Sequence, residues 1–259
     1  MKKLISIVIL LTAFFSVSAF AIKIIKLYHE DIPVTSQSDD ERAQAARVGF
    51  VQLLIKLTGD PAIEKNPDIK DAIKRADYYV SEFSYSSPTT NSATYFIHLT
   101  FEANDVNRLL HRAGVSFWGE KRPLILVWLT LTSPHHPIEI IGDETPGELL
   151  ESMKFTGEKL GLPLIFPLMD VTDIGQISPE DVSTMDLTTL KKAGKRYAPN
   201  AYLIGNIEAL EDGYQTEWQL VLGNRQWKWT IATKSLDDAI TKVLSQTSQT
   251  LSTKYDAKF

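Results

Sequence analysis

The run from Leu124 to Leu131, LILVWLTL, is almost without polar side chains. A strand with one wet face alternates apolar and polar residues, so a run without alternation reads as a strand buried on both faces, as in a parallel or mixed sheet. The chain downstream supplies the layers that such a strand needs. A helix is expected over about Thr145 to Leu160, and Gly161-Leu162-Pro163 turns it into a short strand, Leu164 to Leu168. A loop carrying Asp170 and Asp173 leads to a helix near Leu187 to Tyr197, then to the strand Ala201 to Ala209. Asp212-Gly213 is a hairpin signal. Beyond it Tyr214, Thr216, Trp218, Leu220 and Leu222 alternate with Gln215, Glu217 and Gln219, the pattern of an antiparallel strand with one wet face. Gly223-Asn224 turns into Gln226 to Ala232, and an amphipathic helix follows, with Leu236, Ile240, Val243, Leu244, Thr247 and Leu251 on one side.

Upstream, the order is different. Ile22 to Tyr28 reads as a strand leading through Asp31-Ile32-Pro33 into a polar stretch, where Ser36 or Ser38 caps a helix from about Asp39 to Leu57. Ala43, Ala46, Phe50, Leu53, Leu54 and Leu57 keep helical spacing, and Thr58-Gly59-Asp60-Pro61 stops the helix with a glycine cap and a proline. Asn66 caps a short second helix, Pro67 to Ala76, with proline at its first position. Tyr79, Phe83 and Tyr85, then Tyr95, Ile97, Leu99 and Phe101, alternate as the two strands of a hairpin, and Asp105 to Ala113 forms a helix ended by Gly114. The fold class expected is α/β (α+β): two small modules, each a mixed, mostly antiparallel sheet packed with helices. Residues 22–117 form a β-α-α-β-β-α module and residues 118–259 a β-α-β-α-β-β-β-α module. Trp118-Gly119-Glu120-Lys121-Arg122-Pro123 is the junction.

Met1, Lys2 and Lys3 precede an apolar run, Leu4 to Phe15, and Ala19-Phe20-Ala21 offers the small residues that signal peptidase takes. Residues 1–21 are therefore expected to be a secretory signal peptide cleaved after Ala21, with an uncleaved anchor as the alternative. Zero cysteines in 259 residues exclude lipid acylation, disulfides, thiolate metal sites and a cysteine nucleophile. Removal of residues 1–21 leaves 25 basic and 32 acidic residues, a net charge of −7. That balance argues against nucleic acid and against an anionic lipid surface, both of which are held by Lys and Arg. No second long apolar run suggests a further membrane span.

Many segments in order resemble one family. They include Leu54-Ile55-Lys56-Leu57-Thr58-Gly59, Asn66-Pro67, Tyr78-Tyr79-Val80, Phe83-Ser84-Tyr85, Val106-Asn107-Arg108-Leu109-Leu110, Trp118-Gly119, Arg122-Pro123, Leu126-Val127-Trp128-Leu129 and Pro167-Leu168-Met169-Asp170. The family is the proteobacterial exported one catalogued as domain of unknown function 2066, and the resemblance implies export from a bacterial cytoplasm without implying an activity. Arg196 to Ile207, followed by a glycine-turn hairpin, is similar to curli-secretion-like envelope lipoproteins and to the N-terminal domain of the translocation protein TolB. That likeness implies an adaptor, although Pro199 and Asn200 depart from its usual glycine and aspartate.

Candidate chemistry is sparse. No glycine-rich phosphate loop and no Gly-x-Ser-x-Gly elbow is present. His135 and His136, between two prolines, look most like metal ligands, but neighbours in an extended segment point apart, so a loop pair without metal is expected. Neither a cofactor nor a catalytic residue is assigned. Asp170 and Asp173 lie past a strand end, where open α/β sheets bind ligands, and equally suit a helix cap. Trp118 and Arg122 suit an interface, within the chain or with a partner. Trp227 and Trp229 share a face and are expected in the core, or in an exposed strip should their strand lie at a sheet edge. The function expected is that of a periplasmic, non-catalytic envelope interaction or assembly factor. Its candidate partner-binding residues are Trp118, Arg122, Asp170 and Asp173. The alternative is a periplasmic small-ligand binder or hydrolase-type enzyme that uses the acids near Asp170 and Asp173.

Overall fold

A computed structural model describes residues 27–86, 95–119, 122–134 and 136–254. The expected signal peptide and His135 lie outside the described residues. The first sheet is built from β1 (His29–Val34), β2 (Val80–Ser86) and β3 (Tyr95–Phe101), in the order β1-β3-β2 and antiparallel throughout. Helices α1 (Asp39–Thr58), α2 (Pro67–Ile73) and α3 (Ala103–Arg112) accompany it. Ser38, not Ser36, caps α1, its side chain accepting from the Glu41 amide. Ile32, Val34, Ile97 and Leu99 point inward against Phe50, Leu53, Leu54 and Leu57 of α1.

Of the strand expected at Ile22 to Tyr28, residues 22–26 lie outside the described residues, Leu27 and Tyr28 form a turn, and the first described strand is β1. Asp31-Ile32-Pro33, expected to lead out of the first strand, lies within β1. Two compensations hide this strand from a reading of its residues. Pro33 lies on an edge strand, where a missing N–H removes no ladder bond. Glu30, an inward position, is buried as an ion pair with Lys56 of α1, at 2.6 Å between Oε1 and Nζ. Burial pushes its carboxyl upward and Lys56 opposes that shift. The Lys56 ammonium also donates to the His29 carbonyl, tying β1 to the helix beneath it.

The second sheet is six-stranded. Its strands are β4 (Ile125–Ser133), β5 (His136–Ile140), β6 (Leu164–Ile165), β7 (Ala201–Leu210), β8 (Gly213–Leu222) and β9 (Arg225–Thr233). The order is β5-β4-β7-β8-β9, with β6 paired to the start of β4 along the same edge as β5. β4 runs parallel to β7 and β6, while the other neighbours are antiparallel, which makes the sheet mixed as expected. On one face Ile125, Val127 and Leu129 pack with α4 (Glu148–Lys159) and α8 (Leu236–Ser252). On the other, Leu126 and Trp128 pack with residues of α6 (Pro179–Ser183) and α7 (Leu187–Gly194). The unbroken apolar run is thus the central strand of a three-layer sandwich, with a separate core on each side.

Three elements were not visible in the residue pattern: β5, α5 (Val171–Ile174) and α6, all short. β9 is an edge strand, but Trp227 and Trp229 pack half-buried against the α8 core and do not form an exposed strip. Gly205 lies opposite Trp218, and a Cβ there would come within 2.2 Å of the indole, so the ring lies across a position only glycine can hold. No helix among the described residues is long and apolar enough to cross a membrane.

Candidate functional site

Trp118 and Arg122 come together at the seam between the two sheets. Trp118 is fully buried, its backbone N–H donating to the Leu57 carbonyl at the end of α1. The Arg122 guanidinium stacks on the indole at 4.2 Å and donates to the carbonyls of Lys56, Trp118, Gly119, Leu160 and Gly161. Burial lowers its pKa to about 9, still charged at neutral pH. Arginine suits this position because its planar fork satisfies several carbonyls at once. These contacts all run within the chain: the indole is inside, and the fork joins α1 to the turn after α4. As a partner-binding surface Trp118 is removed by its own burial.

Asp170 and Asp173 also come together, in a different cluster. Asp170 caps α5, accepting from the amides of Thr172 and Asp173, and takes a two-bond ion pair from Arg196 at 2.7 and 2.8 Å. That pairing holds its carboxyl far below the ordinary carboxylate range. Asp173 is 1% exposed and accepts from Arg196, the Met169 amide and the Tyr197 hydroxyl. The Tyr197 hydroxyl in turn accepts from the Leu168 amide, and burial, with the bond to Asp173, raises its pKa to about 12. Both carboxylates are therefore spent on fixing the backbone from Met169 to Asp173. Met169 needs such support, since its φ of 53° is unfavourable for a side-chain-bearing residue.

What this framework holds outward is apolar. Val171 is 89% exposed, Ile174 65% and Leu168 49%. Three apolar side chains within seven residues, on backbone pinned from below, make the most concentrated such feature among the described residues. Lys192 and Lys195, both exposed, precede Arg196 in the chain. The sequence singled out the two aspartates and passed over their neighbours. The usable signal was the i, i+3 pair of Val171 and Ile174 in a segment too short to bury both.

A third cluster was missed altogether. His29, Asp31 and His98 share the outward face of the first sheet. Asp31 lies directly opposite His98 in the β1–β3 ladder, and His29 opposite Thr100. Asp31 Oδ1 stands 3.0 Å from His29 Nε2 and 2.6 Å from His98 Nδ1. His98 and its two partners are 67 or more residues apart, so only the strand register brings them together. His136 begins β5, and its side chain is outside the described residues. An open groove of about 330 Å³ lined by Tyr78, Asp105, Arg108, His111 and Arg112 lies elsewhere on the same half of the chain; Arg108 and Asp105 pair with each other there.

Residues 21–119 match a family described as a domain of unknown function (DUF8605). The matched span contains the whole three-stranded sheet and α1 to α3 and stops at the junction. The chain is thus similar to a domain without an assigned activity. No curated protein matches it.

Proposed function

We propose that the chain is exported to the periplasm and works there as a non-catalytic interaction or assembly factor of the cell envelope. The observation that carries this reading is the apolar edge Leu168, Val171 and Ile174, held rigid by Asp170, Asp173, Arg196 and Tyr197. Preorganised apolar side chains lose little entropy on docking, which is what a binding surface needs. Such an edge suits a protein segment that presents apolar side chains of its own. Support for export comes from the charged start, apolar run and Ala19-Phe20-Ala21 of the sequence. The resemblance to the exported proteobacterial family and the adaptor-like stretch around Arg196 to Ile207 belong to the same proposal.

The reading as a small-ligand binder or hydrolase draws less support. A paired-acid mechanism needs one carboxyl free to hold a proton near neutral pH. Asp170 is held ionised by Arg196, and Asp173 is enclosed by three donors.

Affinity purification of a tagged copy, cross-linked in cells with its native N-terminus, tests the proposal. Recovery of one specific envelope protein by the wild type, and its loss from a Val171→Asp/Ile174→Asp variant of unchanged melting temperature, is the expected result. Recovery of the chain alone contradicts it, and so does retention of the partner by the variant. Sedimentation with phosphatidylglycerol vesicles in place of a protein partner would mark the edge as a lipid contact.

A further inference from the structure

The outward face of the first sheet carries the ligand set of a metal site. We infer that His29, Asp31 and His98 bind one divalent transition-metal ion of the zinc type, clamping the edge strand β1 to β3. Two imidazole nitrogens and a carboxylate oxygen suit zinc and its first-row neighbours better than calcium or magnesium, which prefer oxygen alone.

The geometry is nearly that of a loaded site. Zinc-ligand bonds of about 2.1 Å set tetrahedral ligand atoms about 3.4 Å apart. Here the two edges meeting at Asp31 Oδ1 are 3.0 and 2.6 Å, and all three ligand atoms lie within 4.8 Å of one another. Shifts of under about 1 Å in side-chain torsion would therefore seat an ion. The two rings lie stacked, nearly parallel at 10° with centroids 6.1 Å apart, and each presents a nitrogen to Asp31 Oδ1.

Three further features fix the ligands before an ion arrives. All three stand on paired strands, which hold side chains more precisely than loops do. The His29 carbonyl accepts from the buried Lys56 ammonium, which anchors its backbone from the opposite face. Thr100 Oγ1 lies 3.3 Å from His29 Nδ1, so the hydroxyl can take the proton on Nδ1 and leave Nε2 free to coordinate, the usual outer-shell arrangement. The histidine side chains are 24% and 31% exposed, so solvent reaches the site and water completes the coordination.

Titration of the metal-stripped protein, free of a histidine tag, with Zn²⁺ alone tests the inference, with calorimetry for stoichiometry and thermal melting for stability. One ion per chain and a raised melting temperature are expected. His29→Ala and His98→Ala, each on a different strand, should each weaken binding by at least about 100-fold, more than the loss of an outer-shell partner. A His135→Ala/His136→Ala control should bind as the wild type does. Absence of stoichiometric binding overturns the inference, as does binding unaffected by His29→Ala and His98→Ala or abolished in the control. The outcome is independent of any protein partner.

Discussion

Tyr197 shows how single side chains hold the candidate docking edge. Its hydroxyl joins the Leu168 amide to Asp173, so Tyr197→Phe removes two bonds and leaves the buried Asp173 carboxylate short of a donor. A loss of about 1–3 kcal/mol at neutral pH is expected, read by urea denaturation. The pH dependence follows from the raised pKa. A phenol held at about 12 in the folded state, against about 10 unfolded, contributes stability that is fully present below pH 10 and lost as pH rises through 12. The gap between wild type and variant should stay constant from pH 6 to 9 and narrow above pH 10. Asp170 acts at the other end of the scale. Its carboxyl is depressed, so its contribution is present above the ordinary carboxylate range and lost as pH falls below it. Neither role was readable from sequence, because nothing local announces that Arg196 and Tyr197 return to cover a loop 23 or more residues earlier.

At the scale of elements, the long periodic segments were legible and the short ones were not. α1, α8 and the strands β4, β7, β8 and β9 each carry a complete pattern, including the doubly buried run of β4. β1 was not legible because its inward charge, Glu30, is paired with a residue 26 positions later, and because its proline sits harmlessly at an edge. β5, α5 and α6 span at most five residues each, too few for a period to show. The stop of α1 was legible as Thr58-Gly59, yet the sequence did not disclose that this glycine also touches α8. Gly59 has a φ of 71°, and a Cβ there would come within 2.8 Å of the backbone at Ser248 and Gln249. Left-handed strain and overpacking act together, so Gly59→Ala should cost about 2–4 kcal/mol. A melting temperature within a degree of wild type would show that α1 and α8 do not meet so closely.

At the scale of the whole molecule, two sheets with separate cores are joined by a few specific contacts: Ile55 packed against both cores, the α1–α8 approach at Gly59, and Arg122 reaching across to Lys56. Wild-type thermal unfolding should therefore show a single transition. Arg122→Ala orphans carbonyls on both sides of the seam and should lower stability by about 2–4 kcal/mol and separate the melting of the two halves. Arg122→Lys should restore little, since an ammonium cannot reproduce the planar fork. The central claim, that the chain acts by docking through the apolar edge at α5, is tested most directly by a photo-cross-linking amino acid at position 171, with exposed Glu64 of the first half as the control position. Irradiation of living cells should give one discrete adduct with an envelope protein from position 171 and none from position 64. No adduct at 171, or the same adducts from both positions, would contradict the account.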